Sequence, residues 1–280
     1  MTRTRALTLP HGALTGENLE RDVELRVPTG KDELYVLQAE RTRAERISAL
    51  LERCVVRLGA QAPALGAVRS LVAGDREALL LHLRVLTFGG RLDCVLDCPA
   101  CAEPMDLELS IEDLLVDPYA GPREEYEAVL DDGGVIRFRL PTGDDLDEVA
   151  RLRVEPGRAA AGLLDRCIIE TAAPERTPAT AETHETLSRR MADLDPQAEV
   201  RLVMTCPECG GDVSAVLDAA GSVLDELAPS TDELYTELHS LALHYHWSER
   251  DILALEVPSR RRYLALIADS VAIGAIGAIA

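Results

Sequence analysis

Apolar and polar residues alternate along four short runs of the chain, which is the pattern of half-buried β-strands. The runs come in two pairs, and each pair encloses a Cys-Pro-X-Cys sequence. The first pair is residues 91–97 and 105–111, and the second pair is residues 199–205 and 212–217. The pattern predicts two β-hairpins, each with two cysteines at its tip.

Toward the C-terminus the hydrophobic period changes from two residues to the period of a helix. Leu234, Leu238 and Leu241 share one apolar face, and Pro258 separates the last two of three short predicted helices. Residues 229–280 are therefore predicted to form a C-terminal helical docking module.

The chain before this module contains a repeated pair of motifs. Residues 25–34 (LRVPTGKDEL) match residues 138–146 (FRLPTGDDL), and residues 50–56 (LLERCVV) match residues 163–169 (LLDRCII). Pro28 and Pro141 are 113 residues apart, and so are Cys54 and Cys167. A constant offset at two separate motifs predicts an internal duplication.

The predicted fold class is α+β, with a duplicated α/β unit that shares one four-cysteine zinc ribbon, followed by the helical module. The predicted domains are residues 1–118 with the zinc knuckle 98–101, residues 119–228 with the knuckle 206–209, and residues 229–280.

Both repeated motifs have structural interpretations. A phosphate-binding loop needs several glycines and usually a lysine, whereas acidic residues dominate the segments after both Pro-Thr-Gly sequences. Thr29 and Thr142 are therefore predicted to begin helices. Cys54 and Cys167 lie among leucine, valine and isoleucine, which predicts small buried thiols without a metal or catalytic role.

Charge and hydropathy narrow the possible partners. The 280 residues carry a formal net charge of −20, which repels phosphate backbones and anionic lipid surfaces. No run of about 18–20 apolar residues is present for a spanning helix, and the N-terminus lacks the apolar core of a signal sequence. These features predict a cytoplasmic protein without a nucleic-acid or membrane partner.

The four cysteines of the two hairpins have the residue type and spacing of a zinc ribbon. A Cys-x-x-Cys turn directs two thiolates to one side, and two such turns complete a closed tetrahedral shell. The predicted ligands of one structural Zn²⁺ per chain are Cys98, Cys101, Cys206 and Cys209. A simple ribbon separates its two turns by roughly 15–20 residues. Here the separation is 105 residues, and the duplication explains it if each unit supplies one half-ribbon.

Three other uses of these cysteines fit less well. A thioredoxin-like redox site lacks a matching βαβ context, and a catalytic zinc site keeps an open position and usually uses His, Asp or Glu. A DNA-binding ribbon needs basic surroundings. The residues around these hairpins are acidic instead: Asp93, Asp97, Glu103, Asp106, Glu108, Glu208 and Asp212. Cys94 could be a spare ligand, but its place on an alternating strand predicts burial.

The C-terminal module holds the residues best suited to partner binding. It contains the only tryptophan of the chain and its only arginine triplet. The predicted partner-binding residues are Trp247, Arg260, Arg261, Arg262 and Tyr263, with the tryptophan as an anchor and the arginines at the rim. The apolar tail, residues 271–280, is predicted to be covered in a larger assembly. His239, His244 and His246 are interpreted as packing and helix-end residues.

Residues 235–266, YTELHSLALHYHWSERDILALEVPSRRRYLAL, resemble a C-terminal motif of small proteins from contractile phage tails and contractile injection systems. The Pro-Thr-Gly and LLxRC motifs, together with the Cys-Pro-X-Cys knuckles, are similar to those of baseplate or hub-assembly proteins of such tails. The resemblance implies no enzymatic activity, no catalytic residues and no small-molecule substrate.

The sequence therefore predicts a non-enzymatic structural or assembly protein of a phage-tail-like contractile apparatus, with other tail or baseplate proteins as partners. The alternative is a nucleic-acid-binding regulator that uses a zinc ribbon, which the acidic charge disfavours.

Overall fold

Two small antiparallel sheets, each with two helices inserted between its second and third strands, carry the repeated sequence motifs. The computed structural model describes residues 3–15, 18–37, 40–131, 133–171, 180–227 and 230–277. In these ranges the fold is mixed α+β with a helical C-terminal region, as the sequence predicts.

The first half of the chain contains β1 (Thr4–Thr15), β2 (Asn18–Arg26), α1 (Gly30–Leu37), α2 (Arg43–Cys54), β3 (Val55–Leu58), α3 (Ala73–Phe88), β4 (Arg91–Asp97), β5 (Pro104–Ser110) and α4 (Ile111–Leu114). The second half contains β6 (Tyr126–Val129), β7 (Val135–Phe138), α5 (Gly143–Arg151), α6 (Pro156–Cys167), β8 (Ile168–Thr171), α7 (Ala181–Leu194), a 3-10 turn (Pro196–Ala198), β9 (Arg201–Thr205), β10 (Asp212–Val216) and α8 (Ala219–Leu227). The C-terminal region contains α9 (Thr231–Tyr245), α10 (Glu249–Leu253) and α11 (Val257–Gly277).

The sheets β1-β2-β3 and β6-β7-β8 have the same strand order and the same irregularity. Leu25 of β2 pairs with Val55 of β3, and Phe138 of β7 pairs with Ile168 of β8. In both sheets the register shifts immediately before this pair.

The turn from strand to helix is also the same in both halves. We call residues 28–30 the first corner and residues 141–143 the second corner. Asp32 accepts hydrogen bonds from the backbone N–H and the hydroxyl of the first corner's threonine, at 2.8 and 2.9 Å. Asp145 accepts the same two bonds at the second corner, at 3.0 and 2.9 Å. These bonds satisfy donors at a helix start, which is why both corners lead into helices.

Each of these aspartates also binds two arginines. Asp32 binds Arg26 at 2.7 Å, and its other partner, at the end of α2, is Arg53. Burial alone would raise the pKa of Asp32, but the hydrogen bonds from Arg26 and the first corner hold that pKa below its usual value. Arg139 and Arg166 bind Asp145 in the same way, and the pKa of Asp145 is likewise lowered against the effect of burial.

Two apolar cores lie against these sheets. Cys54 is fully buried in the first core and Cys167 in the second, so both cysteines have the buried positions that the sequence predicts. Burial raises the pKa of Cys54 to about 12 and that of Cys167 to about 11, so both thiols stay protonated at neutral pH.

Helix α8 does not follow the division of the sequence into two units. It belongs to residues 119–228, yet Val223, Leu224 and Leu227 complete the first core beside α2 and α3. A helix of the predicted second unit therefore supplies part of the core beside the first sheet.

Polar contacts join the two halves. The buried hydroxyl of Ser48 in α2 donates to Asp147 of α5 at 2.9 Å, and the N–H of Gly74 donates to Asp195 at 2.9 Å. Asp195 also lies 3.3 Å from the buried ring of His11 in β1.

The C-terminal helices form a small third core that includes Leu34 and Leu37 of α1. Among the described residues, no helix has both the length and the apolar character needed to cross a bilayer.

Candidate metal centre

Two β-hairpins position the four cysteines. In the first, β4 and β5 pair up to Asp97 and Pro104, and the turn between them carries Cys98 and Cys101. In the second, β9 and β10 pair up to Thr205 and Asp212, and their turn carries the other two cysteines. The strand alternation that predicted both hairpins is confirmed by these registers.

The two turns have matching backbone hydrogen bonds. The N–H of Ala102 donates to the carbonyl of Cys98 at 2.8 Å, and the N–H of Gly210 donates to the carbonyl of Cys206 at 3.0 Å. Ala102 and Gly210 both have left-handed backbone conformations, with φ of 59° and 69°. The tight turn needs this conformation, which glycine adopts without strain and alanine does not.

The thiols of the two turns meet in one cluster. The four Sγ atoms of Cys98, Cys101, Cys206 and Cys209 all lie within 4.8 Å of one another. Two of the distances join the two hairpins, at 3.7 Å from Cys98 to Cys209 and 3.8 Å from Cys101 to Cys206. Sulfurs at about 2.3 Å from a central ion in tetrahedral geometry are about 3.8 Å apart, so the cluster has the dimensions of a metal site.

Apolar side chains of the two hairpins pack against the buried side of the cluster. Cys98 and Cys206 are only 2% and 1% exposed and pack with Met105 and Val213, while Cys101 and Cys209 face solvent. This packing orients both hairpins toward each other.

The local electrostatics favour a thiolate at Cys98, whereas burial and the neighbouring thiols raise the pKa values of Cys101 and Cys209. The backbone N–H groups of Cys101 and Ala100 point at the sulfur of Cys98 and lower the pKa of that thiol to about 6. Metal ions bind the deprotonated form of cysteine. The four cysteines can therefore hold a metal ion, with no ligand needed from outside the two turns.

A family model described as T4 bacteriophage base plate protein matches residues 7–224, which is most of the chain. The chain belongs to this family. No curated protein and no solved structure matches it. Membership of the base plate family confirms the baseplate resemblance drawn from the Pro-Thr-Gly, LLxRC and Cys-Pro-X-Cys motifs, and it indicates a structural role in contact with other tail proteins. It gives no support to a nucleic-acid-binding regulator.

The base plate match contains both corners and all four clustered cysteines, and it ends within α8. The C-terminal helices therefore lie outside the matched range.

Other residues considered as ligands lie elsewhere. Cys94 is half-buried on β4, and the cysteine cluster is the one potential metal-ligand group in the part of the chain that the structure describes. His244 contacts the backbone carbonyl of Ser240 at 2.9 Å, and His246 is the left-handed residue that ends α9. Both positions agree with the helix-end interpretation.

The proposed partner-binding residues have different environments. Trp247 stacks on Tyr245 with a ring-centroid distance of 4.8 Å and meets Tyr263 edge-on at 4.9 Å. Arg262 is exposed. The guanidinium of Arg261 lies over the ring of Phe88 at 4.8 Å.

Arg260 differs from the rim position that the sequence suggests. It is 1% exposed and ion-pairs with Glu33 of α1 and Glu237 of α9. Its charge is used inside the chain because two carboxylates from different helices converge on it. The side chains of residues 271–277, and residues 278–280 entirely, lie outside the described part, so the predicted covering of the apolar tail stays a prediction.

The sequence interpretation missed Arg76, which is buried at the junction of the two halves. It also missed that Arg76 and Arg260 stand at matching places in similar segments, residues 71–76 and residues 255–260. The shared Leu-x-x-x-x-Arg pattern is the signal that could have identified them.

Proposed function

We propose that this chain is a non-enzymatic structural or assembly protein of a phage-tail-like contractile apparatus, in its baseplate or hub region, stabilised by one Zn²⁺. The observation that carries the proposal is a cysteine cluster, drawn from two distant hairpins, inside the range matched by the base plate family.

Zinc is the metal that fits this donor set best. Four thiolates in tetrahedral geometry suit Zn²⁺ or an iron–sulfur centre. A single ion fits the spacing of 3.7 and 3.8 Å between sulfurs of different hairpins. A shell of four cysteines leaves no open position for substrate or water, so its role is structural.

Zinc at this site would clamp the two halves of the chain together, since each half supplies two ligands. Metal analysis of the purified full-length chain tests this directly. We expect about one zinc per chain. Two ions per chain, or none after purification under reducing conditions, would contradict the shared site.

We further propose that the two halves arose by duplication. The aspartate–arginine contacts at both corners support this, because every residue in them is displaced by the same 113 positions. The common register shift of the two sheets supports it as well. The proposed units remain residues 1–118 and 119–228, with α8 packed across onto the first.

The C-terminal module, residues 229–280, is proposed to dock a partner in the tail. Of the predicted set, Arg262 is exposed, and Trp247, Arg261 and Tyr263 are partly exposed. The absence of catalysis and the cytoplasmic assembly of the particle are parts of the same proposal.

Co-purification distinguishes a permanent structural component from an assembly factor that leaves the particle. A tagged full-length chain that stays in mature tail particles is a permanent component, and one found only in assembly intermediates is an assembly factor. A chain found in neither would contradict the proposal. Arg262→Glu should weaken either association, whereas Arg189→Glu, on the exposed face of α7, is the matched control that should not.

A further inference from the structure

Each Pro-Thr-Gly corner is covered by a short segment from another part of the chain. At the second corner the segment is residues 71–76, which begins extended and enters α3. The N–H of Ala73 donates to the carbonyl of Pro141 at 2.9 Å, and the N–H of Gly143 donates to the carbonyl of Leu71 at 3.1 Å. These two bonds form a one-residue β-bridge between the segment and the corner.

At the first corner the segment is residues 255–260, which begins extended and enters α11. The N–H of Val257 donates to the carbonyl of Pro28 at 3.0 Å, and the N–H of Gly30 donates to the carbonyl of Leu255 at 3.2 Å. The same pair of bonds therefore recurs, with the same β-bridge.

The last residue of both segments is an arginine at the fourth position of its helix. Arg76 is 3% exposed and Arg260 is 1% exposed. Each guanidinium lies against the glycine of its corner. A Cβ on Gly143 would be 2.4 Å from Arg76, and one on Gly30 would be 2.9 Å from Arg260. The glycine of the motif thus makes room for an arginine from elsewhere.

The partners of the two arginines differ. Arg76 donates to the hydroxyl of Ser48 at 2.8 Å and to the carbonyl of Val68. Arg260 donates to Glu33 at 2.9 Å and to Glu237 at 2.7 Å. Glu33 is therefore a feature of the first corner that can distinguish its segment from that of the second.

The second half of the chain has no such segment of its own among the described residues. Its helix α7 corresponds to α3, but the fourth residue of α7 is His184, which contacts Asp165 at 2.8 Å. The first corner is instead filled by the C-terminal region, which follows both units.

We propose that the first corner is a peptide-binding site for a Leu-x-x-x-x-Arg segment that starts a helix. The C-terminal segment, residues 255–260, is its ligand within the same chain, and the same segment supplied as a separate peptide takes its place when the internal one is weakened. The site holds the C-terminal module on the first half of the chain through the backbone bridge, the glycine contact and Glu33. This inference concerns contacts inside the chain and does not depend on zinc.

The test uses the full-length chain and a fluorescent peptide of residues 248–267. Arg260→Ala weakens the internal ligand, so this variant should bind the peptide at least about tenfold more tightly than the unchanged chain. A peptide with alanine in place of its arginine at position 260 should bind the variant at least about tenfold less tightly than the natural peptide. Fluorescence anisotropy measures both.

Two further variants allow the test to be interpreted even if Arg260→Ala does not fold. Arg260→Lys retains the charge between the two glutamates, so it should fold even if the alanine variant does not, and it should bind the peptide with intermediate affinity. Arg250→Ala, at an exposed position of α10 outside the segment, should bind like the unchanged chain. The proposal is overturned if the natural peptide and the peptide without the arginine bind the Arg260 variants with equal affinity. It is also overturned if neither binds a folded Arg260 variant.

Discussion

The two halves of the protein repeat one geometry with different side chains, and the sheets show this clearly. Glu24 of β2 faces Arg57 of β3 at 3.5 Å, whereas 113 residues later Arg137 of β7 faces Glu170 of β8 at 2.8 Å. The charges are reversed but the pair is kept. On a partly exposed strand pair only complementarity matters, because either order of charges gives the same attraction.

The corners permit no such exchange. Asp32 and Asp145 accept hydrogen bonds from backbone N–H groups, and an arginine in their place could not, because its side chain has no acceptor. The comparison separates two kinds of position. At the corners, backbone N–H donors determine the residue type; in the sheets, the facing side chain determines it. Paired substitutions in the two halves can test this distinction.

The largest effect is expected at the proposed metal centre shared by the two hairpins. Cys98→Ser and Cys206→Ser each remove a buried ligand, and each should destabilise the fold by on the order of 5 kcal/mol or more, because metal binding energy is folding energy in such sites. Thermal melts with parallel zinc analysis measure this. Cys94→Ser is the matched control and should keep its zinc. Unequal losses at the two hairpins would break the equivalence of the halves.

Asp32→Asn and Asp145→Asn should each destabilise the fold by about 3 kcal/mol, since each leaves two arginines without their carboxylate. The loss at Asp145 should be the smaller, because its arginines are more exposed and better screened by solvent. Urea denaturation gives both values. A negligible loss at either position would show that the corner is held by its backbone alone.

The same two aspartates predict an acid limit of stability. Their pKa values are lowered in the folded state, so the stability they provide is present above the ordinary aspartate pKa and is lost as the pH falls below about 4. Each asparagine variant should lose less stability than the unchanged chain between pH 5 and pH 2. If stability falls with pH equally in a variant and in the unchanged chain, the two aspartates do not cause the acid limit.

Glu77 of α3 and Glu185 of α7 occupy the fifth position of corresponding helices but have opposite environments. Burial raises the pKa of Glu77 to about 7, whereas Glu185 is exposed beside Arg189. A raised pKa favours folding at low pH and disfavours it as the pH rises toward 7. Glu77→Gln should therefore stabilise the protein by about 1–2 kcal/mol at pH 8 and little at pH 4.

Glu185→Gln is the control for this prediction and should change stability little at either pH. Denaturation midpoints at pH 4 and pH 8 measure both variants. A Glu77→Gln chain with the same pH dependence as its parent would show that Glu77 is not held in an apolar site.

The smallest effect is expected where the two hairpin turns differ. Ala102 holds a left-handed conformation that Gly210 adopts without strain. Ala102→Gly should stabilise the first turn by less than about 1 kcal/mol, because relief of strain is partly offset by the entropy of the unfolded glycine. Gly210→Ala should destabilise the second turn by about 1 kcal/mol. A loss on Ala102→Gly would mean that its strain is negligible.

Local chemistry was enough to predict much of this structure. The hairpins follow from strand alternation around Cys-Pro-X-Cys, and the corners follow from proline, threonine and glycine before an acidic residue. The buried positions of Cys54 and Cys167 follow from their apolar neighbours. Such features depend on residues within a few positions of one another, so the sequence carries them directly.

The sequence by itself therefore determined the hairpins, the corners, the constant offset and the four cysteines that could hold a metal ion. Only the tertiary structure decided that α8 completes the core of the other half, and that Arg260 is buried between Glu33 and Glu237 rather than exposed. It also decided that the segments ending in Arg76 and Arg260 cover the two corners. These contacts join residues far apart in the chain, and which apolar face or charge meets which depends on how all the elements pack together.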